Sequence, residues 1–373
     1  MTDSPTVPPV PPVPLSAVCP SCGAQTAYSP GTTVLRCGSC GAEQQIDAEH
    51  LTIKEHSYDE WQAKHGQSQV AALTAAVELK CRNCGAQTES TDVAGACGFC
   101  GGALVATQAP EGVVQPEAVV PFKVDRNAAR AHFQEWVGSR RFAPNSLKKV
   151  GSTEGLKGTY IPHWTFDAQT GTDYEGKRGD YYYVTRTRTV SDGKGGTRTE
   201  TYQQRHTRWS DRSGHVSRAF DDVLIVASHH VEREKLEKMG PWQLTEARPY
   251  QDEYVTGYSA LRYDVTPAAG AEEARSVMRE VIQEDVEHDI GGDEQRVNDM
   301  DVTYAQAMFK LVLMPLWIAS YVHAGKTFQV LVNANTGKVV GDRPYSPIKI
   351  ALAVTAALVV IGAIVAIVLL NRS

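Results

Sequence analysis

Cys-Pro-Ser-Cys-Gly-Ala-Gln-Thr stands at residues 19–26, and Cys-Arg-Asn-Cys-Gly-Ala-Gln-Thr repeats it closely at residues 81–88. Each segment opens a pair of Cys-x-x-Cys-Gly motifs, and the chain has no cysteine outside these motifs. The cysteines are Cys19, Cys22, Cys37, Cys40, Cys81, Cys84, Cys97 and Cys100. The repeat indicates an internal duplication, with one quartet of cysteines in each copy.

The spacing predicts two zinc ribbons in tandem. Two residues between the cysteines of a motif allow both sulfurs to bind one ion, and structural Zn²⁺ takes four ligands in a tetrahedron at about 2.3 Å. The glycine after each second cysteine permits a tight turn with positive φ. The pattern matches the four-cysteine zinc sites. We expect two Zn²⁺, both structural, since no ligand position is left for water.

Disulfides are the alternative for these cysteines. They persist in oxidising compartments, whereas the N-terminus is polar and rich in proline, without the basic and apolar regions of a secretory signal. A redox role for a Cys-x-x-Cys motif is disfavoured, because four such motifs at this spacing would be redundant. Zinc is therefore the favoured interpretation.

The C-terminal segment predicts a membrane span. Residues 350–370 carry no charge, and as a helix they would be about 31 Å long, which matches a hydrocarbon core of about 30 Å. The cations before this segment outnumber the single one after it, which places the bulk of the chain in the cytoplasm. These cations are Lys326, Lys338, Arg343 and Lys349 before the segment and Arg372 after it. We expect a tail-anchored protein of the cytoplasmic (inner) membrane, on the side where thiolates stay reduced.

The remaining sequence predicts a multidomain chain with an α+β domain that contains an antiparallel β-meander. The expected divisions are a proline-rich disordered tail at 1–16, zinc ribbon 1 at 17–46, a helical linker at 47–78, zinc ribbon 2 at 79–105, the α+β domain at 117–346 and the transmembrane helix at 349–370. Within the domain, Asp125 is a candidate helix cap, 268–290 has the apolar spacing of a long acidic helix, and 160–167, 309–321 and 327–333 are candidate strands. Residues 180–227 alternate around a glycine-rich turn, as hairpins do.

Two Pro-x-Trp motifs, at 162–164 and 315–317, lie on apolar candidate strands. Proline restricts a strand to an edge or bulge, and we expect both tryptophans to fill the core. A paired aromatic binding site is the less favoured alternative. Asp221 and Asp222 are expected in a solvated turn.

The charge is segregated along the domain. Residues 123–218 carry 18 Lys/Arg and 10 Asp/Glu, whereas residues 252–301 carry 4 and 14. This contrast predicts either mutual packing or two different partners. Candidate contacts for an anionic partner are Arg186, Arg188, Arg205, Arg208 and Arg212. The partner could be an acidic protein, anionic lipid headgroups or, less favoured, nucleic acid, and a solvated sheet face is the plain alternative.

No catalytic set is evident in the sequence, and we expect no enzyme and no small-molecule substrate. Gly-Lys-Thr at 325–327 lacks the upstream glycine of a phosphate-binding loop, because Ser320 occupies that place.

Several motifs resemble a bacterial family. Besides the ribbons and the C-terminal span, they are Val-Pro-Phe-Lys at 120–123, Arg-Phe-Ala-Pro-Asn at 141–145, Gly-Thr-Tyr-Ile-Pro-His-Trp-Thr-Phe-Asp-Ala at 158–168, Leu-Met-Pro-Leu-Trp at 313–317 and Val-Asn-Ala-Asn-Thr-Gly-Lys-Val-Val-Gly-Asp-Arg-Pro-Tyr-Ser at 332–346. The chain is similar in these motifs to the TFIIB-type zinc-ribbon-containing membrane proteins, often labelled primosomal protein N′ or replication factor Y helicase-like. The resemblance implies a membrane-anchored scaffold that brings phage-shock-type or flotillin-like (SPFH) envelope-stress proteins to the membrane. A helicase would need a phosphate loop, which the chain lacks.

The sequence therefore predicts a non-enzymatic adaptor that recruits membrane proteins or cytosolic proteins to the cytoplasmic membrane. The alternative is a membrane-tethered nucleic-acid-binding protein related to replication.

Overall fold

The structure is a computed structural model, and it describes most of the chain in several stretches. They are residues 18–47, 51–66, 77–81, 86–90, 94–97, 103–106, 113–140, 142, 156–191, 193, 195–323, 326–342 and 346–370. The proline-rich tail expected at 1–16 lies outside them.

The described residues form short strands at the N-terminal end and very long strands in the centre. The strands are β1 Thr26–Tyr28, β2 Val34–Cys37, β3 Glu43–Gln45, β4 His56–Ser57, β5 Val77–Cys81, β6 Gln87–Ser90, β7 Ala94–Ala96, β8 Ala103–Ala106, β9 Ala118–Val119, β10 Lys157–Ser191, β11 Thr197–Val226, β12 Arg248–Pro249, β13 Ser259–Ala260, β14 Glu294–His323, β15 Lys326–Asn333 and β16 Val339–Gly341. The α-helices are α1 Tyr58–His65, α2 Arg126–Gly138, α3 Arg233–Glu237, α4 Asp252–Val255, α5 Pro267–Ile290 and α6 Pro347–Leu370.

The helices begin where the sequence provides caps. The carboxylate of Asp125 accepts from the N–H groups of Asn127 and Ala128 at the start of α2, as predicted. Thr266 caps α5 and Pro267 occupies its first turn, where a missing N–H costs nothing. The expected long acidic helix is confirmed as α5, and α1 is the described helix of the segment 47–78.

The strands form two sheets. A small three-stranded sheet, in the order β1-β2-β3, belongs to the first cysteine quartet. The second sheet has 13 strands and is organised around β10, which pairs antiparallel with β11 on one side and with β14 on the other. The α+β class expected from the sequence is confirmed for the described residues.

The central strands are much longer than the sequence indicated. Where we expected a strand at 160–167 and a meander over 180–227, the structure has one 35-residue strand, β10, that forms a single hairpin with the 30-residue β11. Likewise β14 begins at Glu294 rather than near residue 309. The periodicity changes at a bulge of β11 opposite Asp167 and a bulge of β14 opposite Ala168, where Asp222 and Gln306 take positive φ. A bulge bends a strand without ending it, and this is why the sequence suggested separate strands.

Both Pro-x-Trp motifs lie in the core, on the neighbouring strands β10 and β14. Trp164 and Trp317 are buried, and their indole N–H groups donate to the backbone oxygens of Val265 and Val124. On the outer side of each proline, one neighbouring strand ends and another begins, so no described strand pairs with the proline on that side. The missing N–H of the proline therefore interrupts no hydrogen-bond ladder. The rings therefore act as core residues, and the alternative of a paired aromatic binding site is wrong.

Helix α5 covers one face of the three long strands. Its apolar side, with Ile282, Val286 and Ile290, packs on Tyr174 and on side chains of β11 and β14. Gly270 allows the start of the helix to approach the rings of Trp164 and Phe166 closely. The helix runs along the strands from Trp164 to its end at Gly291, beside Arg178.

The β10–β11 hairpin continues past the end of its neighbours. The last residue of β10 that pairs with β14 is Gly179. Beyond it, residues 180–191 pair only with residues 197–208 among the described residues. We call these two strand segments the arm. Its 12 residue pairs correspond to about 40 Å at 3.3 Å per residue.

Strands from the second cysteine segment join the edge of the main sheet. Ala94 of β7 pairs with Ala260 of β13, and β7, β8, β5 and β6 follow in that order. Helix α6 starts at the opposite end of the molecule from the arm. Ser346, just before the helix, donates its N–H to the oxygen of Phe142. Strand β16 lies level with Gly158 across the sheet, near the first residue of β10.

Candidate functional site

The first cysteine quartet is assembled in the structure. The sulfur atoms of Cys19, Cys22, Cys37 and Cys40 all lie within 4.8 Å of one another. The Sγ atoms of Cys19 and Cys40 are 3.5 Å apart, and those of Cys22 and Cys37 are 3.6 Å apart. A disulfide requires about 2.05 Å, so these distances contradict the disulfide alternative for this quartet. Cys19 and Cys37 are buried, and Cys22 and Cys40 are exposed.

Two matching turns hold these cysteines. The N–H of Cys19 donates to the oxygen of Ala24 at 2.7 Å, and that of Cys37 donates to Ala42 at 2.8 Å. Gly23 and Gly41 follow with φ of 72° and 75°, a conformation that a side chain would strain. The sequence prediction of a glycine-dependent turn is confirmed at both positions.

The turns also direct backbone donors at the sulfurs. The N–H groups of Cys40 and Ser39 lower the pKa of Cys37 to about 6. Burial opposes ionisation of Cys19, but the N–H groups of Ser21 and Cys22 and the hydrogen bonds with the thiols of Cys40 and Cys22 together outweigh it and lower the pKa of Cys19. Hydrogen bonds to a thiolate favour its charged form, and the thiolate is the form that binds metal.

These residues fit a zinc ion. A tetrahedron with Zn–S bonds of about 2.3 Å has edges of about 3.8 Å, close to the two sulfur separations. Four sulfur donors and no carboxylate are typical of zinc rather than of a hard cation. The first of the two predicted metal sites is thus a four-cysteine cluster that is able to hold one zinc.

Half of the second quartet is described. Cys81 and Cys97 are buried with Leu79 and Leu104 in one small core, whereas Cys84 and Cys100 lie outside the described residues. The N–H of Cys81 donates to the oxygen of Ala86 at 2.7 Å. This is the same spacing and bond as in both turns of the first quartet.

The arm has two chemically different faces. Partners in an antiparallel pair share a face, and the even-numbered residues of the arm continue the face that α5 covers lower on the hairpin. We call it the helix-side face. Its members are Asp180, Tyr182, Val184, Arg186, Arg188, Val190, Arg198, Glu200, Tyr202, Gln204, His206 and Arg208. The opposite face, the threonine face, consists of Tyr181, Tyr183, Thr185, Thr187, Thr189, Ser191, Thr197, Thr199, Thr201, Gln203, Arg205 and Thr207.

The structure divides the five predicted arginines. Arg186, Arg188 and Arg208 share the helix-side face of the arm. Arg212 lies on the same face below the arm, opposite Gly176, and Arg205 lies on the threonine face with its guanidinium 4.2 Å from the ring centre of Tyr181. The five residues are therefore not one patch.

The acidic half of the domain packs partly on the basic half. Arg218 of β11 pairs with Asp285 of α5 at 2.5 Å, and the hydroxyl of Tyr174 donates to Asp289 at 2.5 Å. Mutual packing, one of the two predicted explanations of the charge contrast, is confirmed for these contacts. On the arm, Arg188 pairs with Glu200, but Arg186, Arg198 and Arg208 form no ion pair with any described residue.

One charged cluster was missed by the sequence reasoning. Lys310 is buried in β14, and its amine lies 2.7 Å from Glu55 and 2.6 Å from Asp222. Burial raises the pKa of the neighbouring Asp167 to about 6. Asp221 and Asp222 lie at a bulge of β11, not in the turn that we expected; Asp221 is exposed, whereas Asp222 is half-buried. The signal in the sequence was a lysine inside the apolar run 309–317, because a buried lysine needs carboxylate partners. Its amine supplies the positive charge that these carboxylates need.

Comparison with known proteins gives one relative of similar length. The chain is 25% identical over 341 residues to "Uncharacterized protein YdjG" of Bacillus subtilis (strain 168), and the match covers 90% of this chain and 92% of the relative. No family model matches the chain, and no solved structure matches it. The resemblance to the zinc-ribbon membrane proteins thus stays a prediction.

Proposed function

We propose that the chain is a non-enzymatic, membrane-anchored zinc-ribbon adaptor that recruits protein partners. The arm is the observation that carries this proposal. It extends about 40 Å past the supporting strand, and it presents exposed tyrosines together with arginines that form no ion pair with a described residue. Such a surface is typical of a binding element rather than of a packing element.

Two Zn²⁺ per chain are part of the proposal. The first quartet has the geometry for one ion. The repeated sequence at 81–88 and the turn at Cys81 that matches those of Cys19 and Cys37 support a second ion. A closed set of four thiolates stabilises a small fold and leaves no position for substrate, which supports a structural rather than catalytic role for both.

The anchor in this proposal is α6. Residues Ile348–Val368 are long and apolar enough to cross a membrane, and the helix is exposed along its length, unlike a core helix. The excess of Lys and Arg before the helix supports a cytoplasmic location for the rest of the chain. The zinc thiolates are also favoured by the reducing cytoplasm, since disulfides are rare there.

The position of the anchor bears on the kind of partner. The arm tip and the start of α6 lie at opposite ends of β10, whose length corresponds to about 100 Å or more between them. Anionic headgroups attract cations only within about a Debye length, near 10 Å. This separation favours a protein partner over lipid for the arginines of the arm.

Affinity capture from detergent-solubilised membranes tests the proposal. Full-length protein is compared with a variant that carries Arg186→Glu, Arg188→Glu and Arg208→Glu. We expect specific partners with the wild type and their loss with the variant, at unchanged zinc content and membrane insertion. The same proteins in the same amounts from both would mean that the arm is a solvated surface.

Nucleic acid is the second candidate partner, because arginines and exposed tyrosines share the helix-side face. Aromatic rings stack on bases and arginines bind phosphates. Phosphate contacts give a steep dependence of affinity on salt. A salt titration of oligonucleotide binding, with the same arginine variant as control, separates this candidate from the adaptor.

A further inference from the structure

We infer that the helix-side face of the arm is the docking site for an acidic amphipathic helix of a protein partner, placed in line with α5. This inference rests on the adaptor role proposed above and names the chemistry of the partner. It follows from the way the chain binds its own acidic helix on the same two strands.

Helix α5 shows what this hairpin face binds. Below the arm, the face presents an arginine, a tyrosine and apolar side chains to the helix. Arg218 pairs with Asp285, Tyr174 donates to Asp289, and Val216 and Phe220 pack against the apolar side of the helix. An acidic helix with one apolar stripe is thus complementary to the face in both charge and shape.

The arm repeats this set of residue types above the end of α5. The helix ends at Ile290 beside the last β14-paired residues of β10, whereas the hairpin continues in register for 12 further pairs without a bulge. Along those pairs Tyr182 and Tyr202 correspond to Tyr174, and Val184 and Val190 correspond to Val216. The face is therefore continuous with an occupied helix site, but here it is uncovered: Tyr182 is 48% exposed and Tyr202 is 38% exposed.

The charges of the arm indicate that the partner is negatively charged. Both carboxylates on the helix-side face already have partners, since Asp180 pairs with Arg178 and Glu200 pairs with Arg188. The three remaining arginines have no ion pair with a described residue, in contrast to Arg218, which has Asp285. They are Arg186, Arg198 and Arg208. A helix with carboxylates beside its apolar stripe would form ion pairs with these three arginines.

The two faces of the arm provide an internal control. The threonine face has the same length and backbone but carries one arginine, Arg205, which already lies over the ring of Tyr181. If the arm attracted acidic molecules only through its overall charge, charge changes on either face would weaken binding. If a helix docks on the helix-side face, only changes on that face weaken binding.

The test uses a fluorescent peptide of residues 267–290, the sequence of α5, as the probe. It is titrated with full-length protein in detergent micelles, and binding is followed by fluorescence anisotropy. Triple reversal with Arg186→Glu, Arg198→Glu and Arg208→Glu is expected to weaken binding at least about tenfold. Arg205→Glu combined with Thr187→Glu and Thr199→Glu is expected to change it less than about twofold. Zinc content and circular dichroism confirm that both variants fold.

The peptide provides a second comparison. Changing Asp285→Lys and Asp289→Lys in the probe removes the two carboxylates that contact the strands in the intact chain, and we expect it to abolish binding. The inference is overturned if the wild-type protein does not bind the unchanged probe, if reversals on the two faces weaken binding equally, or if a single-stranded oligonucleotide displaces the probe and binds the same face more tightly.

Failure of this inference is distinguishable from failure of the adaptor role. Partners that are captured from membranes independently of the helix-side arginines would leave the adaptor in place and remove the arm as its helix site. Face-specific binding of the probe without any captured partner would support the site and contradict recruitment as its use.

Discussion

Single residues shape the cysteine cluster through their backbone as much as through their side chains. Cys19, Cys37 and Cys81 each donate a hydrogen bond to the backbone oxygen five residues later. This bond closes the turn that aims the sulfur inward, and the following glycines supply the positive φ that the turns of the first quartet need. Side chains with the right donor atom would not assemble without this backbone geometry.

We expect two Zn²⁺ per chain in reduced, purified protein and one in the Cys81→Ser variant. Metal binding supplies the folding free energy of a small zinc site, so loss of one ligand should release the ion of the second quartet only. Elemental analysis by mass spectrometry measures both values. Ser39→Ala is the control, because Ser39 contacts Cys37 through its backbone; it should retain two. A wild-type value of one or zero would contradict the second site.

His163 predicts a pH dependence of stability. It is fully buried, which lowers its pKa to about 4 despite the hydrogen bond of its Nδ1 with Ile161. The imidazole of His163 therefore becomes protonated near pH 6.5 in the unfolded chain but only near pH 4 in the folded chain. The free energy of unfolding falls as the pH drops through 6.5 toward 4. Between about pH 7 and pH 5.5 this loss is about 1 kcal/mol.

Urea unfolding in detergent, followed by tryptophan fluorescence, measures the dependence at His163. The wild type should lose about 1 kcal/mol more over this pH range than the His163→Gln variant, since the variant has no imidazole to protonate. Parallel curves for the two proteins would show that His163 does not couple folding to pH.

At the scale of elements, α5 and the long strands depend on each other. A helix with apolar residues on one side is stabilised mainly by packing, and strands as long as β10 and β11 need a covering element over the half that is buried. Gly270 is one of the places where the two elements approach closely. An added methyl group there would lie 2.8 Å from the indole of Trp164.

Two glycine variants test this fit. Gly270→Ala should lower the free energy of unfolding by about 1–3 kcal/mol, because the methyl group overpacks the helix against Trp164. Gly138→Ala is the matched control, since Gly138 is also helical and a methyl group there meets no atom within 4 Å. It should be neutral or stabilise α2 by up to about 1 kcal/mol. Equal effects of the two changes in thermal unfolding would contradict close packing of α5.

At the scale of the whole molecule, the arm and β16, the strand before α6, lie at opposite ends of one sheet. Strand β10 runs between these two ends, so the distance between them is set by strand length. A sheet of several hydrogen-bonded strands is stiff compared with a loop. The arm is therefore held away from the end of the sheet where α6 begins.

A fluorophore placed at Thr189 on the arm, through an unnatural amino acid that leaves the cysteines intact, measures this arrangement. In vesicles with a lipid-bound acceptor, energy transfer from Thr189 should be close to background, because the site is about 100 Å along the strand from the anchored end. A fluorophore at Phe142, next to the start of α6, should transfer strongly. Strong transfer from Thr189 would mean that the arm lies on the bilayer.

The sequence alone determined the features that depend on local chemistry. Cysteine spacing predicted the metal cluster, since ligands two residues apart must share an ion, and an uncharged run of 21 residues predicted α6. The cap at Asp125 and the apolar spacing of 268–290 predicted α2 and α5 because helix signals are local in the chain.

Only the tertiary structure decided how distant segments combine. The lengths of β10 and β14 depend on pairing between residues more than a hundred positions apart, and bulges at Asp222 and Gln306 conceal that continuity in the sequence. Strand register assigned Arg186 and Arg208 to one face of the arm and Arg205 to the other. Burial of Lys310 with Glu55 and Asp222 likewise required three separate segments to meet. A side chain's face depends on register, and register is set by the whole sheet rather than by its own strand.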